Sequence, residues 1–356
     1  MHEDRMSRTL NALLNKGLDA GAYTGAAAAC GDRRGVIAQA WIGALSPNGA
    51  PVNADTRWDM ASVTKVLSTT MLALRALEDG ALSLYDTLGM YLPNAPADKR
   101  GITMLQLMTH TAGFHPSFRL DRLGIRPEEA RARILARPLD SAPGGPPVYS
   151  CMGFITLGFA LEALYGRPLA ELARDCVFKP LGMAHTGYNP AGGNIAATER
   201  DPATGELLCG VVHDENARFL GGAAGNAGVF SDLADMCTFS TMLARGGGGY
   251  LAPVTLARAI TCWAYDSEER RGLGFQLAGT RANYTGELMP AASFGHNGFT
   301  GPSLAVDPTT GFWAVLLCNR VCPTRENNAI FPLRRRFHNA LYASYSAVSR
   351  GEREDS

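Results

Sequence analysis

The chain has 356 residues, of which 46% are hydrophobic and 19% charged, and its formal net charge is zero. That length allows two domains' worth of core, and the composition is that of a soluble globular protein. Charges of both signs are interspersed without basic blocks, which excludes a nucleic-acid footprint or a polybasic membrane patch.

The opening residues, Met1-His2-Glu3-Asp4-Arg5, lack the basic and apolar regions of a secretory signal. As it stands the sequence predicts a cytoplasmic protein, and a signal removed beforehand would make it periplasmic or extracellular. Its strongest later apolar runs, around 153–161 and 312–318, fall short of the ~20 residues that span a bilayer. The eight cysteines lie mostly within apolar runs, with no C-x-x-C and no ordered Cys/His ligand spacing. They predict reduced, buried thiols and no metal site.

Taken in chain order, Met6, Leu10, Leu13, Leu14 and Leu18 recur at helical spacing and predict an amphipathic helix over 5–18 that packs on a sheet. Strand-like runs at 25–30 and 36–43 follow, joined by a Gly-Asp-Arg-Arg-Gly hairpin signal. A strongly apolar helix is predicted from Ser62 to about Asp79, with Leu67, Met71, Leu74 and Leu77 as its buried stripe and Gly80 as terminator. Short helices broken by Pro and Gly are predicted at 103–109, 127–136, 152–165 and 169–178. Helices at 231–244 and 253–262 lead to strand runs at 272–278, 293–296, 303–306 and 312–318, and a final helix over 326–346 returns to the first one. Strands from both ends of the chain with helices between them predict an α+β fold, a sheet domain holding a helical domain in its middle.

Three clusters carry chemistry. Ser62 and Lys65 lie three apart on one helical face, one turn from each other. Tyr149-Ser150-Cys151 stands in a Pro-rich loop before a helix, and His296-Asn297-Gly298 on a late strand. Together they supply a nucleophile, groups that move its proton, and a glycine that lets backbone approach a substrate. A serine hydroxyl needs a base to take its proton. The helix dipole and desolvation predict a depressed Lys65 pKa, letting it serve as that base, and Tyr149 shares the role. His110, His115 and His213 read as structural, because no pair has metal spacing. The glycines of 221–225 make no phosphate loop, since no Lys-Ser/Thr follows. Gly301-Pro302-Ser303-Leu304-Ala305 lacks the second glycine of a nucleophile elbow. No cofactor is expected.

This ordered set resembles the serine β-lactamase and penicillin-binding-protein-like superfamily, whose signatures are S-x-x-K, Y-x-N and K-T-G or H-x-G. The resemblance covers most of the chain. It includes Leu107-Met108-Thr109-His110-Thr111-Ala112-Gly113, Gly295-His296-Asn297-Gly298-Phe299-Thr300-Gly301 and the segment 319–328, which is similar to the penicillin-binding protein 4B-like and esterase-like branch of the class C β-lactamase-like proteins. It implies an antiparallel sheet flanked by the N- and C-terminal helices (1–81 with 225–350) and an inserted all-helical domain (82–224), with the active site between them. It further implies that Ser62 is acylated, that Lys65 and Tyr149 manage protons, that His296 replaces the third-motif lysine, and that the backbone N–H groups of Ser62 and Phe299 form the oxyanion hole. Cys151, Asn226, Asn297 and Gly298 would line the substrate. Two positions depart from the pattern: Cys151 stands where many relatives have Asn or Asp, and Asn226 where a His is expected. The expected activity is hydrolysis of an ester or a peptide-like amide without a metal, as in D-Ala-D-Ala carboxypeptidases and β-lactamase-fold esterases. The rivals are true β-lactamase activity and a catalytically silent protein that binds cell-wall fragments or another protein. The expected partner is a small-molecule or peptide-like substrate, with no nucleic acid and no membrane span, and the oligomeric state stays open.

Overall fold

Four consecutive alanines, 26–29, form the middle of a strand slim enough to be covered on both faces. The computed structural model describes residues 2–281 and 283–354. In it strand β1 (Gly25–Asp32) is buried along its whole length. It pairs antiparallel with β2 (Gly35–Gly43) on one side and with the last strand on the other, Ala28 opposite Leu316. The remaining strands are β3 (Trp58–Asp59), β4 (Gly187–Tyr188), β5 (Val229–Ser231), β6 (Ala264–Tyr265), β7 (Arg270–Arg271), β8 (Gln276–Leu277), β9 (Phe294–Asn297), β10 (Ser303–Val306) and β11 (Trp313–Cys318). Eight of them form one antiparallel sheet in the order β2-β1-β11-β10-β9-β8-β7-β6, so strands distant in sequence meet at its centre.

Because side chains alternate across a strand, β1 feeds two cores. Ala26 and Ala28 join Met6, Leu10, Leu316 and Leu341 under the helices His2–Asp19 and Ile330–Glu354. Ala27 and Ala29 face the larger core, with Val315, Leu317 and Phe239 of the helix Leu233–Ala244. That core continues into the helices drawn from the middle of the chain, among them Met104–Met108, Ala130–Ala136, Cys151–Tyr165 and Leu169–Ala173. The fold is α+β, as expected.

Several elements differ from expectation for local reasons. The run at 272–278 is a tight β7–β8 hairpin, because Gly272 N–H bonds the Phe275 carbonyl and Gly274 takes φ +78°. The last helix begins at Ile330, since 319–329 is spent in turns and side-chain anchors, and runs on to Glu354. The helix expected from Ser62 starts as a 3₁₀ turn, Ala61–Val63, and a π turn, Lys65–Thr69, before α geometry sets in at Thr70. A π turn also closes the helix that begins at Leu169. β3, β5 and β4 form a second small sheet that no sequence run announced. All eight cysteines are free, yet Cys209 is exposed and Cys151, Cys176 and Cys262 only half-buried, so burial of the thiols is partial. Among the described residues no helix is long and apolar enough to cross a membrane.

Candidate active site

The site begins with a strained residue. Ala61, directly before Ser62, has φ +43°, a conformation that costs an L-residue roughly 1 kcal/mol or more. The buried carboxylate of Asp59 holds it there, accepting the Ala61 N–H at 2.8 Å and the His213 N–H at 2.7 Å. The chain thus turns sharply into the 3₁₀ turn and leaves the Ser62 side chain half-exposed. π turns recur at functional sites, and the one that follows sets Lys65 inward.

Lys65 is fully buried, and its Nζ donates to Ser62 Oγ at 3.1 Å, to the Asn226 carbonyl at 3.1 Å and to Cys151 Sγ at 3.6 Å. It lies 4.9 Å from the centre of the Tyr149 ring, and the Tyr149 hydroxyl faces both Ser62 and Lys65. Burial acts to lower the Lys65 pKa. The thiol of Cys151, the phenol of Tyr149 and the charge of Asp214 outweigh it, and the net direction is upward. The expectation of a depressed Lys65 is therefore corrected: the acidic groups that the fold gathers around the ammonium outweigh its burial. Tyr149 is also raised, by burial, against the pull of Lys65. The resting pair is an ammonium beside a neutral phenol.

His296 on β9 comes to the other side of Tyr149, ring centres 6.0 Å apart. Its Nδ1 meets the Asn297 carbonyl at 2.8 Å and so carries the hydrogen, which leaves Nε2 a buried acceptor without a partner. Burial, then the charges of Lys65 and Arg271, drive its pKa well down, so the imidazole is neutral. Asn297 is half-buried, and Gly298 is buried where a Cβ would stand 2.7 Å from the Met60 carbonyl. Glycine is needed there because the third motif lies directly on the first. Phe299 is 47% exposed as a residue, and its ring stacks on His213 with centres 5.6 Å apart. Asn226 is completely buried, and its carbonyl rather than its side chain meets Lys65.

Sequence reasoning gave no site role to four residues that the fold brings here. Asp59 sets the nucleophile turn. His110, read as structural, lies 4.6 Å from Tyr149 and accepts the Ser150 N–H on Nδ1 at 3.0 Å, which anchors the tyrosine segment. Arg271 lies buried 5.1 Å from the Tyr149 ring, paired with Glu269 at 2.7 Å. Arg334 reaches the same region from the last helix. Closeness in sequence to Ser62, and membership of the segment 107–113, were usable signals for the first two only. Elsewhere, His185, Asp232 and Asp235 offer ligand atoms within 4.8 Å of one another. Those atoms are engaged by one another and by Thr186.

The site's ordered motifs coincide with a match to the family model described as Beta-lactamase, over residues 10–338. The chain belongs to the beta-lactamase family. It is 28% identical to a putative D-alanyl-D-alanine carboxypeptidase of Escherichia coli K12, over 81% of this chain and 76% of that one. Among solved structures it is similar to EstCE1, a hydrolase with promiscuous acyltransferase activity (TM-score 0.78, 22% identity, 96% of this chain and 99% of that one). It is also similar to D-alanine carboxypeptidase AmpC from Burkholderia cenocepacia (TM-score 0.76, 22% identity, 96% and 99%). At those identities the two structures establish the fold, and the family match places the chain in the serine β-lactamase and penicillin-binding-protein-like superfamily of hydrolases.

Proposed function

We propose that this beta-lactamase-family protein is a metal-independent serine hydrolase that forms an acyl-enzyme on Ser62 with an ester or a peptide-like amide. The observation that carries the reading is the buried Lys65 ammonium 3.1 Å from Ser62 Oγ, with the Tyr149 phenol beside both. The names of the carboxypeptidase relative and of the EstCE1 neighbour support the two substrate classes.

Ser62 Oγ attacks the substrate carbonyl carbon and its proton passes into the Lys65–Tyr149 pair, which must first have lost one proton to act as base. The carbonyl oxygen becomes an oxyanion before the N–H groups of Ser62 and Phe299; one such donor contributes about 3 kcal/mol in comparable sites. The pair returns the proton to the departing alcohol or amine, and the C–O or C–N bond breaks. Water then attacks the Ser62 ester by the same relay and releases the acid. His296, neutral with Nε2 as an acceptor, receives a donor on the substrate or holds the phenol in place.

Intact-protein mass spectrometry after exposure to a fluorophosphonate, an activated ester, a penicillin and a D-Ala-D-Ala peptide tests this. A covalent adduct on the wild type that the Ser62→Ala variant lacks is expected; equal labelling of both removes Ser62 as nucleophile. Efficient nitrocefin hydrolysis would move the assignment to a true β-lactamase, which Cys151 in place of the usual amide speaks against. Tight ligand binding with no adduct and no turnover would indicate a silent binding protein.

A further inference from the structure

The segment that bears the Phe299 N–H is gripped from behind by two buried arginines. Arg334, 3% exposed on the last helix, donates from Nη2 to the carbonyls of Gly298 at 3.2 Å and Gly301 at 2.7 Å. Arg320, 1% exposed just after β11, donates from Nε to the Phe299 carbonyl at 2.6 Å, and its guanidinium lies 4.3 Å from the Phe299 ring centre. Among the described residues Arg334 has no ion pair with a carboxylate, and its Nε has no partner. Burial lowers its pKa only to about 10, so it is a cation at neutral pH. A buried charge without a counter-charge is costly. Main-chain carbonyls are what this one faces.

The Gly298 carbonyl and the Phe299 N–H belong to one planar trans peptide and point in opposite directions. Fixing the carbonyl on Arg334 therefore fixes where the N–H points. A cation at the oxygen also polarises the peptide and leaves its N–H a stronger donor, the direction in which bonded groups reinforce each other in a low-dielectric interior. On the cleft side, Gly298 sits against the Met60 carbonyl, and Thr300 Oγ1 donates to the Asp59 carbonyl at 2.8 Å. The peptide is thus held between the nucleophile turn in front and the guanidinium behind.

We infer that Arg334 is a positioning residue that aims and strengthens the Phe299 N–H toward the substrate oxyanion, with Arg320 bracing the next peptide. The inference rests on the reading of Phe299 N–H as an oxyanion donor in an acyl transfer to Ser62. It assigns to the C-terminal helix a part in transition-state stabilisation from outside the cleft. Arg334 touches no substrate atom. Its signature is a loss in kcat with KM left alone, because the donor strengthens only as charge develops on the oxygen.

The test compares wild type, Arg334→Met and Arg334→Lys on an activated ester, with thermal melts for each and inhibition by phenylboronic acid, a tetrahedral adduct former. The expected result for Arg334→Met is a kcat roughly 10- to 100-fold lower, a KM within about threefold, and boronate affinity weakened by about the same factor as kcat/KM. Arg334→Lys, which keeps the charge but not the two-carbonyl grip, is expected to recover part of the rate. If Arg334→Met does not fold, a kcat loss of about three- to tenfold in folded Arg334→Lys with unchanged KM carries the same expectation. A folded Arg334→Met with wild-type kcat, a folded Arg334→Lys with wild-type kcat where the methionine variant fails, or parallel losses that leave boronate affinity unchanged overturns the inference alone. A wild type that turns over no ester and takes no adduct overturns it together with the proposed function.

Discussion

At Lys65 the chemistry turns on which acidic groups the fold sets beside one ammonium. With Lys65 raised by Cys151, Tyr149 and Asp214 against its burial, and Tyr149 raised by burial, the resting pair holds one proton too many to act as base. The reactive form appears as pH rises, so kcat/KM on an ester is expected to climb through neutrality into the alkaline range. A pH–rate profile on wild type checks this, and an acid limb lying wholly below pH 6 would contradict it. Cys151 shows why this was not readable in the chain: it stands 86 residues from Lys65 in sequence and 3.6 Å from Nζ in space. Ser62, Lys65, Tyr149 and His296 were legible because each belongs to a short ordered motif. Arg334 belongs to none, Arg320 lies in the segment 319–328 but had no role assigned to it, and the carbonyl partners of both are visible only once the chain has folded.

Among the elements, the turn that carries Lys65 depends on the segment 225–229 packed against it. Lys65 Nζ bonds the Asn226 carbonyl, Thr69 Oγ1 donates to the Gly225 carbonyl at 2.8 Å, and Thr64 Oγ1 accepts the Val229 N–H at 3.1 Å. Gly225 also lies against the helix Cys151–Tyr165, where an added Cβ would stand 2.0 Å from the Phe154 carbonyl and 3.2 Å from Gly158 Cα. Gly225→Ala must therefore push apart the elements that bring Tyr149 and Lys65 together. A loss of about 1–3 kcal/mol in urea unfolding is expected, with a fall in ester turnover beyond what the unfolded fraction explains. Unchanged stability and turnover would mean that the contact yields freely. Apolar runs bounded by turn signals, such as β1, β2, β10 and β11, were readable to within about two residues. β3, β5 and β4 were not, since two or three residues carry no period, and a Ser-x-x-Lys spacing reads alike in 3₁₀, π and α geometry.

Across the whole molecule, neutral histidines are built into the interior, and this ties stability to pH. His110, His296 and His338 are buried, and burial first, then nearby arginine or lysine charges, pulls all three down, His338 to about 3. Unfolding releases them to an ordinary histidine value near 6.5, where they bind protons more readily than in the folded chain. Above that value both states are neutral and stability is at its full level. As pH falls below it the unfolded chain takes up the protons, and each histidine costs the fold about 1.4 kcal/mol per pH unit until the native site protonates in turn. Glu199, held down to about 2 although burial alone would raise it, by His213 and Arg325, adds a loss in the same direction below about pH 4.5. His185, raised by Asp232, opposes them, but it is largely exposed and solvent-screened. Urea midpoints measured at pH 7.5, 6 and 5 should fall steadily, and His338→Gln should flatten the slope by about one proton relative to wild type. Equal midpoints at all three values would mean that the buried imidazoles are solvated or paired in the folded protein.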